Sequence, residues 1–217
     1  MQDVMTFLRE LAQNNNRDWF TDNKKRYKKA QNQFLDFVQD LIFGINQFDD
    51  LGPLAAKECT FRIYRDVRFS GDKNPYKENM GGYIARGGRR SGLAGYYLHV
   101  QPGESFLAGG QYAPTKEQLA AIREAIVEDS APLRDVLAAE GFKKTFGSLS
   151  GDQVKTAPRG FKQDHPEIDL LRYKNFVVMH KLTDEQVLEP NLHGYALEVF
   201  QHLKPLNDCL NRMQRTG

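Results

Sequence analysis

Two cysteines in 217 residues, Cys59 and Cys209, are too few for a disulfide framework and form no C-x-x-C pair. The simplest reading is two free thiols in a reducing compartment. Five histidines, at 99, 165, 180, 193 and 202, make no H-x-x-x-H or H-E-x-x-H arrangement, so no metal site is expected. His99 and His180 fall in expected strands, where they could be neighbours, and read as satisfied sheet histidines; His193 lies near a helix start. No serine occupies a G-x-S-x-G elbow, and neither G-x-x-x-x-G-K-[ST] nor G-x-G-x-x-G occurs, so no cofactor is specified. No apolar run approaches the length of a membrane span, and the opening MQDVMTFLRELAQNNN lacks the apolar core of a signal peptide. A soluble, cytoplasmic protein without a membrane partner is expected. A net charge of only +2 argues against wholesale electrostatic binding of nucleic acid.

What is present is enough apolar and aromatic side chain for a proper core, in a length that suits one domain. Met5, Leu8, Leu11 and Ala12 keep helical spacing until QNNN stops it. A second helix is expected from Asn16 or Arg17, with Phe20, Tyr27, Phe34, Val38, Leu41 and Ile45 on one stripe, closed by the turn chemistry of DDLGP. Trp19 and Phe20 read as core. From Ala56 to Tyr112 glycine-separated β-rich pieces follow one another: GGYIAR, GYYLHV and SFLAGG. Pro102 and Gly103 in QPGE suit a type II turn, so the last two pieces form a hairpin. Strands joined this closely must be antiparallel. Helical spacing returns after the N-cap candidate Thr115, and again after Pro132. GFKKTFG and VKTAPRGF suit a strand pair or an irregular loop, and DHPEIDLLRY a helix start with Asp164 or His165 as cap and Pro166 in its first turn. NFVVMHKL reads as a buried strand, and a final amphipathic helix is expected over Asn191–Met213. The expected fold is a single α+β domain over 1–217, mostly an antiparallel β-meander packed against N- and C-terminal helices. Residues 1–50 form its helical start, 56–112 the meander, and 115–217 a mainly helical part with one or more added strands.

Charge is unevenly placed. Between Lys57 and Arg90 there are nine Lys or Arg against four Asp or Glu, a local excess of +5 in a chain whose net charge is +2. Its centre is FRIYRDVRFSGDKNPYK. As an ideal strand, one face carries Phe61, Ile63, Arg65, Val67 and Phe69, the other Arg62, Tyr64, Asp66 and Arg68. Arg65 is a misfit in the apolar row, so either the strand ends or bulges at Tyr64 or Arg65 is buried with a partner. Arginine forks match phosphate or carboxylate, and Lys73, Tyr76 and Lys77 follow on a turn, so these groups could converge on an anion. The plainer alternative is a solvent-facing strand with ion pairs to Asp66, Asp72 and Glu78.

PRGFKQDHP is a second candidate. Arg159 sits in a defined loop, and His165 could act as acid or base with Asp164 or Asp169 orienting it, unless it merely caps a helix. NKKRYKK puts five cations in six residues on a helix and reads as a solvated face; ARGGRRSG reads as a hairpin tip.

The blocks NNNRDWF, FRIYRDVRFSGDKNPYK, GYYLHVQPGESFLAGGQY and PRGFKQDHPEIDLLRYKNF, in this order, resemble an uncharacterised bacterial and fungal family, domain of unknown function 2461. The resemblance implies a soluble single-domain protein and brings no reaction with it. Its motif positions here are Arg62, Tyr64, Arg65, Asp66, Arg68, Lys73, Pro75, Tyr76, Lys77, Arg159, Gly160, His165 and Pro166. Three functional readings follow. The preferred one is a pocket for a small phosphate- or carboxylate-bearing ligand, held by Arg62, Tyr64, Arg65, Arg68, Lys73, Tyr76 and Lys77, with Arg159 and His165 closing it. If it is an enzyme, His165 or Asp66 supplies the acid or base. The alternatives are a nucleic-acid surface joining these residues to Lys24–Lys29 and to Arg86, Arg89 and Arg90, and a protein-interaction domain with structural arginines.

Overall fold

The computed structural model describes residues 1–66, 71 and 73–214. It is an α+β fold with ten helices and four strands among the described residues. Strands β1 (Met80–Ile84), β2 (Gly95–Val100), β3 (Phe106–Gln111) and β4 (Phe176–Lys181) form one antiparallel sheet in the order β1-β2-β3-β4, the expected meander. That order puts β3 between the strands of His99 and His180, so the two histidines are not neighbours. The QPGE turn forms as read: Glu104 N–H donates to Gln101 O at 3.0 Å, and Gly103 takes φ +78°.

The chain gathers into two compact units, the first of residues 1–89, 97–107 and 181–197, the second of 90–96, 108–180 and 198–217. In the first unit, α1 (Gln2–Gln13) buries Val4, Met5, Phe7, Leu8 and Leu11, while Ala12 is exposed. The second expected helix is two: α2 (Arg17–Asp22) and α3 (Lys24–Ile45), with a break at Asn23. The break costs little, because the Asn23 amide and side chain both donate to Trp19 O, at 3.0 and 2.9 Å, and close α2. Every residue of the apolar stripe from Phe20 to Ile45 is nevertheless buried, because a one-residue break barely changes the helical phase. Consecutive asparagines divide the work at the α1–α2 junction. Asn14 Nδ2 donates to Glu10 O, and Asn16 Oδ1 accepts the Trp19 N–H at 3.0 Å as N-cap. Helix α3 packs on α1, on the short α4 (Ala56–Cys59) and on β1, where Val38 lies against Gly82.

In the second unit, Thr115 caps α5 (Lys116–Glu128) through a capping box with Gln118, as expected, and α6 (Ala131–Ala138) carries Pro132 in its first turn. GFKKTFG is neither strand nor loop: it lies in α7 (Glu140–Phe146). Phe142 and Phe146, one helical turn apart, pack ring to ring at 5.4 Å, and Gly147 ends the helix at φ +73°. Helix α8 (Ile168–Leu171) starts after Pro166, with Glu167 as N-cap in place of Asp164 or His165. The segment TDEQVL, which belongs to the first unit, forms α9 (Asp184–Leu188), a helix absent from the sequence expectation although Thr183 and Gln186 make a capping box. Helix α10 (Leu192–Met213) matches expectation, with Leu192, Phe200, Leu203 and Leu210 buried and Leu197 half-buried. Among the described residues no helix is long and apolar enough to cross a membrane.

Both cysteines are buried free thiols, Cys59 pushed up to about 12 and Cys209 also raised, in each case chiefly by burial. Neither is expected to react with a thiol reagent near pH 8 until the protein unfolds, so a reagent count of two in denaturant and none without it is the expected result.

Candidate functional site

Phe61–Asp66 does not form the ideal strand. It pairs with residues 75–82 only through isolated antiparallel bridges, Thr60 to Gly82 and Tyr64 to Tyr76. Four residue steps on one side thus span six on the other, and the surplus lies between Lys77 and Gly81. This bulged ribbon is held by Phe61 N–H to Gly81 O (3.0 Å), Arg65 N–H to Pro75 O (3.0 Å) and Lys77 N–H to Ile63 O (2.8 Å). The side-chain pattern departs from the ideal strand as well: Ile63 is buried, but Phe61 is 44% exposed, and Arg65 is half-buried.

Two supports fix the ribbon. Asn15 pins Tyr76 on both sides, Tyr76 N–H donating to Asn15 Oδ1 (3.2 Å) and Asn15 Nδ2 to Tyr76 O (3.1 Å). The Tyr76 ring, 6% exposed, stacks on Phe20 at 3.9 Å and 11°, with Tyr64 edge-on to Phe20 at 5.8 Å. Tyr76 is therefore part of the core rather than a free stacking surface, and burial raises its hydroxyl pKa. Tyr64 is 45% exposed. Sequence reading missed Asn15, although its place in NNN just before a capped helix makes it the one asparagine without a helix end to serve.

The cations cluster around Lys77. Its ammonium is half-buried and its pKa is lowered, first by burial and then by the charges of Arg62 and Arg65. It lies 5.4 Å from the centre of the Phe61 ring, and the Arg89 guanidinium lies 5.9 Å from the same ring. Arg89 is also structural, donating to the carbonyls of Lys57 (3.2 Å) and Glu58 (2.8 Å) at the end of α4. The local carboxylates are partly committed elsewhere. Glu58 accepts Ala55 N–H (2.9 Å), and Glu78 accepts from Asn15 Nδ2 (3.1 Å) and Asn74 Nδ2 (3.5 Å). Arg62, Asp66 and Lys73 are exposed. Arg68 and Asp72 lie outside the described residues.

The other candidates fall as follows. On α3, Arg26 makes a two-pronged pair with Glu10 (2.6 Å on each arm) and Lys29 pairs with Asp3 at 3.0 Å. Two of the five cations of NKKRYKK are thereby spent on α1. In ARGGRRSG, Arg86 lies 3.3 Å from Asp50, and the amides of Gly88 and Arg89 donate to carbonyls at Ala85 and Glu58. Arg159 and His165 belong to the second unit. Arg159 is exposed in a turn where Phe161 N–H donates to Pro158 O and Gly160 takes φ +93°. His165 Nδ1 accepts the Glu167 N–H at 3.1 Å, a cap one residue ahead of α8. Asp169 is held by Arg134 at 2.8 Å, which also binds Glu167 at 2.5 Å, so Asp169 is engaged away from His165.

Neither of two cavities in the first unit is lined by the ribbon's arginines. The cleft between Tyr27, Phe34, Thr60, Ile63 and Met80 measures about 20 Å³, room for one water. The open hollow of about 430 Å³ along α1 and α3 carries Asp3, Asp36 and Asp40 together with Lys29 and the Met1 amino group. Among the described residues no group of three or more His, Cys, Asp or Glu is placed to hold a metal ion.

A family model for a conserved hypothetical protein, DUF2461, matches residues 3–209, nearly the whole chain. The chain belongs to DUF2461. The match takes in the ribbon, the sheet and the loop of Arg159, so all the candidate residues of this DUF2461 protein lie inside the family's domain. No curated protein and no solved structure matches it.

Proposed function

We propose that this DUF2461 protein binds a phosphate- or carboxylate-bearing ligand at the ribbon, through Arg62, Arg65 and Lys77. The observation that carries the reading is the convergence of like charge. Lys77 is half-buried, which lowers its pKa, Arg62 and Arg65 lie close enough to lower it further, and Glu58 and Glu78 are engaged by N–H donors. Bringing such charges together costs free energy that a bound anion would recover. Lys73 and Tyr64 stand at the same ribbon and would extend the contact. The alternative route for nucleic acid along Lys24–Lys29 is weakened by the pairing of Arg26 and Lys29 with α1. Buried, unbridged thiols suit a reducing, cytoplasmic setting.

The test is thermal unfolding with pyrophosphate or a tricarboxylate against chloride at matched ionic strength. An anion at about a hundred times its Kd adds about 2.7 kcal/mol, roughly 5–10 °C for a chain of this size. The double variant Arg62→Gln, Lys77→Gln is expected to lose that response while unfolding, without ligand, at the parent temperature or slightly above it. A variant that is simply less stable, with no anion response in the parent, would assign the cations a structural role.

A further inference from the structure

The stretches of β1, β2 and β3 that belong to the first unit have one face sealed and one face open. On the sealed face Ile84, Leu98, Val100 and Leu107 have no exposed surface. Their alternate neighbours Tyr83, Tyr97, His99 and Phe106 are half-exposed, so the other face meets solvent. That face is made of rings. Phe61 lies 6.4 Å from Tyr97, Tyr97 lies 5.7 Å from Phe106, and His99 stacks on Phe106 at 4.5 Å and 9°. The Tyr97 ring crosses Gly81, where a Cβ would come within 2.6 Å of its hydroxyl, so the absence of a side chain at 81 lets the array reach Phe61.

The array is also held in place. Gln101 Nε2 donates to Glu104 Oε2 (2.8 Å), which turns Gln101 Oε1 towards His99 to accept its Nε2–H (3.0 Å). His99 Nδ1 is then the acceptor of the Tyr97 hydroxyl proton (3.1 Å). Burial keeps the imidazole pKa below its ordinary value, so at neutral pH it is an uncharged ring. At the Phe61 end the array meets cations: Lys77 and Arg89 against the ring, and the charge of Arg62 beside Lys77. Solvent-facing aromatic rings, here tilted against one another at 51° to 72° along Phe61, Tyr97 and Phe106, and bordered by positive charge, are the chemistry that recognises unpaired bases joined by phosphates.

We propose that the open sheet face of Phe61, Tyr97, His99 and Phe106 is a stacking platform for single-stranded nucleic acid, whose phosphodiester groups are met by Arg62, Lys77 and Arg89. This rests on the anion reading above and names its ligand class.

The experiment is fluorescence polarisation of labelled oligonucleotides, DNA and RNA, of about twelve nucleotides. The parent is expected to bind at least one of them with a Kd below about 100 µM in low salt, weakening as salt rises. The double variant Tyr97→Leu, Phe106→Leu keeps apolar bulk and removes stacking. It is expected to lose about ten-fold or more in oligonucleotide affinity while keeping the pyrophosphate-dependent thermal shift. A pyrophosphate shift with no oligonucleotide binding would overturn the platform and leave the anion site standing; absence of both would remove both. Variant affinity within about two-fold of the parent would overturn it too. A mononucleotide bound as tightly as the oligomer would replace the strand with a single nucleotide as ligand.

Discussion

Gly110→Ala is expected to lower stability by about 3–5 kcal/mol, roughly 10 °C in Tm. Gly110 sits at φ +100°, where an L side chain is strained by about 1–3 kcal/mol. Beyond that strain, a Cβ there would fall 2.1 Å from Phe176 O, which is backbone and cannot swing aside. The methyl would therefore push β4 from β3 or tear the ladder between them. Gly103→Ala is the control. It has a similar positive φ of +78° with nothing within 4 Å of the added carbon, so it carries the dihedral cost alone, about 1 kcal/mol. Thermal unfolding of the two variants separates strain from collision; equal losses would show that the β3–β4 contact yields.

The second large effect is at Phe20. Phe20→Ala removes a ring that is 3% exposed and touches Phe7, Tyr27, Tyr64 and Tyr76. A loss of about 3–5 kcal/mol is expected from truncation in such a cluster. Phe20 differs from other core rings in what rests on it. Tyr76, stacked at 3.9 Å, carries the ribbon segment that leads to Lys77. Phe20→Ala should therefore weaken the pyrophosphate-dependent shift, whereas Leu203→Ala, a comparable core truncation in the second unit, should lower Tm and leave the ligand shift intact. If both variants respond to pyrophosphate alike, the Phe20–Tyr76 stack does not position the cations.

How legible this was depended on whether the local code was complete. The QPGE hairpin, the Thr115 cap and the stripe from Phe20 to Ile45 each carry their whole determinant within a few residues, and each formed. The strand expected at Phe61 failed because alternation tells which way side chains point only when pairing is continuous. Here the partner segment holds two surplus residues, which no pattern in FRIYRD reveals. GFKKTFG was misread for a different reason. Its Phe142–Phe146 spacing and terminal glycine are helix signals, but seven residues are too few for periodicity to speak plainly. Arg65 is a misfit in the apolar row of the ideal strand, and it is half-buried; Phe61, of the same row, is turned outward to Lys77 and Arg89. The ring array on the open face was unreadable in advance, since Phe61, Tyr97 and Phe106 come from separate segments and meet only through the sheet's pairing.

The surplus between Lys77 and Gly81 has a consequence for how the molecule can change over time. In an unbroken ladder, one residue added or lost moves every following side chain to the opposite face. Here the count is reset where β1 begins, so a change of length in the ribbon can be taken up there without inverting Ile84, Leu98 or Leu107. The part of the chain that would choose a ligand is thereby free to be edited, while the part that keeps the protein folded does not register the edit.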